Sequence, residues 1–256
     1  MEKINKFGAI IPNRITMSFL KVIEEIESSE LFLTMYLLGN EYLKKNKESV
    51  TKGLESMYEG QSPNPITDMI NTKKIDKLFD SQTFEIFYGQ MCFAKTIDNI
   101  LTYFKEILSE IVLKQPQILK SKETERLDFI LNYSTIEELR VAIAEKKIEA
   151  LFYAGFEKIE LFFNERIGID LFESEEQKND FNFSILSRNL IVHNRGIVSK
   201  EYLKKTKTNT LNLGEKIHST FENISLLNIS IINFIGRIDK ILISKFKLDS
   251  YKNGEF

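Results

Sequence analysis

Apolar residues recur at spacings of three and four along almost the whole chain, the period of helices that bury one stripe. Pro12-Asn13 precedes one such pattern over about Ile15 to Ile26, and a second runs over about Leu31 to Lys45. Glu59-Gly60-Gln61-Ser62-Pro63-Asn64-Pro65 is the turn-rich stretch and reads as a loop or a boundary. Beyond it, Phe84, Phe87, Met91, Ala94, Ile97, Leu101, Phe104, Leu108 and Ile111 fall along one face of a single long helix ending near Lys114, with Pro116 as its stop. Thr135-Ile136-Glu137-Glu138 has the form that satisfies free N–H groups at a helix start. The helix it opens is expected to reach about Arg166, with Gly168 just past its end. Ser174-Glu175-Glu176-Gln177 opens another, running through Phe183 and Leu186 towards His193 and stopped by Gly196. The last long pattern starts near Gly214 and places Ile217, Phe221, Ile224, Ile231, Ile235, Ile238 and Leu242 on one stripe, with Asn228 at a seam position.

No alternating strand pattern of comparable length, internal repeat or low-complexity tract accompanies these helices. The expected fold class is therefore all-α, an antiparallel helical bundle in which two long helices flank shorter ones. Eleven Gly and four Pro in 256 residues leave too few turns for a many-stranded sandwich or barrel. The apolar stripes are core or, alternatively, a homodimer seam in which Asn228 sets the register. Residues 1–80 read as an N-terminal helical region of unassigned role, and 81–256 as the main bundle.

Composition then narrows the chemistry. With 43% hydrophobic and 28% charged residues the chain is ordinary globular material. The single Cys92 leaves no internal disulfide framework and no cysteine-based zinc cluster, and His193 and His218 alone make no His-rich metal site. No Gly-x-Ser-x-Gly elbow, phosphate-binding Gly-x-x-x-x-Gly-Lys-Ser/Thr loop or Gly-x-Gly-x-x-Gly fingerprint is present. No apolar leader follows Met1, and the longest uncharged apolar stretch, Ile224 to Gly236, falls short of the roughly 20 residues a spanning helix needs. A cytoplasmic protein without membrane, metal or cofactor is expected. Cys92 reads as a buried thiol and His218 as structural.

One segment differs from the rest: Ser187-Arg188-Asn189-Leu190-Ile191-Val192-His193-Asn194-Arg195-Gly196. Arg188 and His193 bracket an apolar triplet expected to anchor the segment in the core, and Asn189 and Asn194 each neighbour one of them. Five residues advance a helix by roughly 7.5 Å and turn it about 140°, so spacing alone does not put Arg188 and His193 on one face. Asn189 and His193, four apart, do share a face. Convergence needs a long Arg reach, an irregular helix end near Gly196, or a second copy across a dimer axis. Taken alone, His193 reads first as a core or helix-cap histidine, and Arg188, Asn189 and the helical context turn the balance to the functional account.

Arg188-Asn189-Leu190-Ile191-Val192-His193 resembles the signature of the HEPN (higher eukaryotes and prokaryotes nucleotide-binding) family, which is Arg, a polar residue, three further residues and His. Asn194-Arg195-Gly196-Ile197-Val198 and Tyr202 resemble what often follows the His in bacterial members. The resemblance covers about Ser81 to Lys247. It implies a helical bundle that dimerises with the two motifs facing each other, acting as a metal-independent endoribonuclease. In that reading Arg188 and His193 are catalytic and Asn189 supports them by orienting His193 or a substrate oxygen. Asn194, Arg195 and Lys200 contact RNA. The ribose 2′-OH attacks the adjacent phosphate, an imidazole moves protons near neutrality, and a guanidinium fork steadies the growing charge. The products are a 2′,3′-cyclic phosphate and a 5′-hydroxyl. The implied setting is a toxin–antitoxin or anti-phage defence system with an antitoxin or partner protein. The alternative within the resemblance is a non-catalytic RNA- or nucleotide-binding module, or a dimeric adaptor. Some members carry a Tyr two positions after the His, a site of nucleotidyl modification; here that position is Arg195, which speaks against silencing by that route.

Charge is consistent with an anionic substrate. From Ser187 to Lys207 the cations are Arg188, Arg195, Lys200, Lys204, Lys205 and Lys207 against the one anion Glu201, in a chain of net charge -2. Such a run reads either as a phosphate-contacting face or as a solvated lysine face. Tyr202 within it either stacks a base or packs inward.

Overall fold

The computed structural model describes residues 3–4, 8–71, 81–208 and 210–252, with 3–4 and 81–84 by backbone alone. Phe84 as a stripe member and the boundary at residue 80 therefore lie outside the described residues. The described chain is mostly helical, as the periodicity predicts. No described helix is long and apolar enough to cross a membrane.

Helix α1 (Met17–Lys45) is continuous where the pattern suggested two segments. The polar run Glu27-Ser28-Ser29-Glu30 does not break it, because Glu30 is buried with its carboxylate satisfied. Asn228 Nδ2 donates to it at 2.6 Å and Ser225 Oγ at 2.9 Å. Helix α2 (Lys47–Met57) and α3 (Pro65–Asn71) follow, separated by the turn-rich stretch, and the Asn64 side-chain oxygen accepts from the Ile66 amide as α3 opens. Helix α4 (Ser81–Lys114) is the long predicted one, and Pro116 begins a 3-10 turn, Pro116–Leu119, directly after it. After the short α5 (Leu127–Ile130), α6 (Ile136–Tyr153) starts at the predicted box. Thr135 Oγ1 accepts from the Glu138 amide at 3.2 Å, and the Glu138 carboxylate accepts from the Thr135 amide at 3.3 Å.

That helix does not run to Arg166. It ends at Tyr153, and Gly155, at φ 97°, turns the chain into α7 (Phe156–Phe162), which widens into a π turn over Phe163–Ile167 before the left-handed Gly168. Helix α8 (Glu175–Asn194) opens as expected, with Ser174 Oγ accepting from the Gln177 amide at 3.1 Å. Helices α9 (Lys200–Thr206) and α10 (Phe221–Phe246) complete the set among the described residues. The last helix starts at Phe221, not near Gly214. Ile217 is buried in an extended stretch ahead of it. Among the described residues, four two-residue strands pair: β1 (Lys3–Ile4) with its neighbour β2 (Ile10–Ile11), and β3 (Arg14–Ile15) with the distant β4 (Tyr251–Lys252).

The chain divides into two compact units, each drawn from separate stretches. The first is Met1–Glu24, Ile97–Ser187 and Ile229–Phe256. Its core is aromatic, with Phe104 against Tyr103, Phe163 and Phe234 at ring separations of 5.2 to 6.2 Å. Gly236 lets α10 meet the N-terminal segment, since a Cβ there would lie 3.1 Å from Pro12. The fully buried Asp239 accepts from the Thr16 amide at 2.9 Å, Thr16 Oγ1 at 2.6 Å and the Tyr103 hydroxyl at 3.0 Å. Loss of water around it pushes its carboxyl above the usual aspartate range, against those three bonds.

The second unit is Glu25–Thr96 and Arg188–Asn228. Leu33, Cys92 and Ile224 pack together under Phe221, and burial raises the Cys92 thiol. Asn228 is buried here, between the Glu30 carboxylate and Thr96 Oγ1, which donates to it at 3.0 Å. It joins three helices of its own chain, and this replaces the dimer-seam alternative for that residue.

Candidate functional site

The Arg188–His193 segment forms the last turns of α8 and belongs to the second unit. The helix stays regular through Asn194, so no distortion brings Arg188 and His193 onto one face. It stops because Arg195 and Gly196 both take positive φ, 56° and 73°, and the Gly196 amide donates to the Leu190 carbonyl at 3.0 Å. The apolar triplet anchors only in part: Leu190 is buried, Ile191 is half-buried and Val192 is exposed.

Arg188 is half-buried, and its Nη1 donates to Asn189 Oδ1 at 3.0 Å. Asn189 and His193 are both exposed and, four apart, lie on one stripe of α8. The guanidinium therefore leans towards the stripe that carries the imidazole. The bond recorded for Asn189 steadies Arg188, where the sequence reading gave it to His193 or a substrate oxygen. Asn194 is exposed, and its side-chain amide donates to the Ile197 carbonyl at 2.5 Å, so it fastens the turn as well as facing solvent. Arg195 and Lys200 are exposed, Lys200 as the first residue of α9 after its cap Ser199. Tyr202 is buried and packs inward, which leaves no ring to stack a base. Lys205 engages Glu201 at 2.7 Å, and the ammonium holds that carboxyl below its ordinary range.

Sequence periodicity missed what holds this segment. Ile197 forms an antiparallel bridge with Lys216, the Ile217 amide donates to the Gly196 carbonyl at 2.9 Å, and the Val198 amide donates to the Glu215 carbonyl at 2.8 Å. From α4, the buried Gln90 donates to the Ile217 carbonyl at 2.9 Å and fills the space beside Gly196. Gly89 leaves room for the Ser219 carbonyl, against which any Cβ would collide. The bridge sets the exposed Lys216 next to the motif's end, adding a cation to the basic run. It also places the exposed His218 one residue from the paired Ile217, so that His218 stands on a segment bonded to the motif. The lone signal for this in the sequence was Gly214 with a polar stretch after it. Among the described residues no group of His, Cys, Asp and Glu is arranged to hold a metal ion. No family model matches the chain, and neither does any curated protein or solved structure.

Proposed function

We propose that this chain is a metal-independent endoribonuclease of the HEPN type, a helical bundle acting as a pair of chains whose Arg188–His193 segments face each other. The observation that carries the reading is the end of α8. A guanidinium rests on Asn189, an imidazole stands on the same stripe as Asn189, and a cation-rich turn follows. Within one chain the regular helix keeps Arg188 and His193 about 140° apart, so a second copy supplies the convergence. Arg188 grips the scissile phosphate through its planar fork, and Asn189 holds that fork in place. His193 takes the 2′-OH proton or delivers one to the leaving 5′-oxygen. The ribose itself is the nucleophile, so the reaction needs acid–base groups and charge, and it leaves a 2′,3′-cyclic phosphate and a 5′-hydroxyl. Arg195, Lys200, Asn194 and Lys216 contact flanking phosphates, with affinity that falls as salt rises. The biological setting that fits is a cytoplasmic toxin or anti-phage effector restrained by a partner protein.

The test is cleavage of RNA in EDTA by the wild type, Arg188→Ala and His193→Ala. The expected result is cyclic-phosphate product from the wild type and a rate lower by roughly a hundredfold or more in each variant. Equal rates in all three, or a strict need for Mg²⁺, rejects the assignment.

A second reading is a non-catalytic RNA-binding or adaptor module. The exposure of Asn189, His193, Asn194 and Arg195 favours it, since an open surface holds RNA without enclosing a scissile phosphate. Salt-sensitive RNA binding with no cleavage at any protein concentration selects this second reading.

A further inference from the structure

Helix α1 carries apolar residues on two opposite sides. Ile26, Leu33 and Tyr36 line its inner side; Ile26 and Leu33 are buried, and Tyr36 meets Tyr88 and Phe221. Half a turn round the helix lie Leu31, Met35, Leu38 and Tyr42, exposed by 62%, 65%, 69% and 63%. A helix apolar on both sides is normally covered on both. The spacing of the outer set is four, three, four, which is the alternation of a two-helix seam with knobs every 3.5 residues.

We infer that this outer seam binds the same seam of a second copy, antiparallel. Charge selects the partner and the direction. At the seam's N-terminal end Glu24 lies on the stripe and Glu27 beside it, and at its C-terminal end Lys45 lies beside it, one turn past Glu41. An antiparallel pair in which Leu31 faces Tyr42 and Met35 faces Leu38 sets each Glu27 near the other copy's Lys45, whereas a parallel pair stacks like charges. Lys45 has Glu41 as a local partner at 3.9 Å, and both side chains are exposed. The seam extends over about 30 Å from Glu27 to Asn46. Its apolar surface continues through Phe32 to Tyr88 and Phe87, with ring separations of 5.5 and 5.6 Å, on the side of α4.

The inference is independent of the ribonuclease reading, because it is read by mass and by cross-linking and not by cleavage. Sedimentation of the full chain at micromolar concentration is expected to give a dimer, or a tetramer where the Arg188–His193 segments also pair, and L31E/L38E is expected to halve that mass with unchanged helical circular dichroism. Both positions face solvent in the single chain, so these changes spare its core. In a second measurement, L31C protein is mixed with Y42C protein and oxidised. An antiparallel pair gives the mixed cross-link in excess over either self cross-link. A monomeric wild type, a dimer untouched by L31E/L38E, or self cross-links at position 31 dominating the mixture each overturn it. So does a monomer whose seam binds vesicles or a different protein.

Discussion

At Gly196 a single hydrogen atom in place of a side chain keeps the candidate site together. The residue takes φ 73°, where an L side chain is strained, and its Cα abuts the amide of Gln90, which is itself bonded to the Ile217 carbonyl. Gly196→Ala therefore strains the backbone and pushes Gln90 off Ile217 together. Unfolding by urea is expected to give a stability loss of about 2 kcal/mol, with the bridge of Ile197 to Lys216 opening first in hydrogen exchange. Gly196 was recognisable in the sequence as a helix stop because it follows a periodic run. Gln90 was not recognisable as its neighbour, since a polar residue on a long helix carries no sign of the loop it will meet. For the same reason the sequence pairs Asn189 with His193 by spacing, while side-chain reach decides that it also holds Arg188.

At the scale of elements, Asn228 ties α1, α4 and α10 through Glu30 and Thr96. Replacing it with Ala leaves a buried carboxylate with Ser225 as its remaining recorded partner in this network. Asn228→Ala is expected to cost about 3 kcal/mol, seen as a lower denaturant midpoint, whereas an exposed-site control such as Asn223→Ala changes little. The elements themselves were legible where chemistry marks an end: Thr135 and Ser174 at helix starts, Pro116 past one stop, Gly168 and Gly196 at two others. They were illegible where the apolar period carries on through a break. Phe152, Phe156, Ile159 and Phe163 keep helical spacing across Gly155, so nothing but that glycine reports the turn. Ile217, Phe221 and Ile224 imitate a helix stripe although Ile217 precedes α10 in an extended bridge. The two-residue strands are too short to alternate visibly, and the outer face of α1 merges with its inner face into one apolar-looking run.

For the molecule as a whole, the buried Asp239 sets a pH dependence. Its folded pKa lies above the unfolded value, so the folded state binds the proton more tightly. The stabilisation is complete below the ordinary aspartate value of about 4 and is lost as pH rises through the raised folded value. Thermal melts from about pH 4 to about pH 7 should therefore show the wild type losing stability relative to Asp239→Asn as pH rises, whatever the absolute cost of the substitution. A difference between the two that is flat with pH, or that grows in the other direction, contradicts this. Glu110 is raised in the same sense by its burial, and its charge adds to the rise of Asp239.

The pairing of β3 with β4 has a consequence for how the molecule is made. Arg14 reaches Ser250 through two hydrogen bonds, of 2.9 and 2.6 Å, and Thr16 needs Asp239, so these residues find partners made 236 and 223 residues after them. A nascent chain that reaches only residue 220 carries Ile15 and Phe19 with no α10 to receive them. During translation this part of the fold stays open until α10 and β4 have emerged.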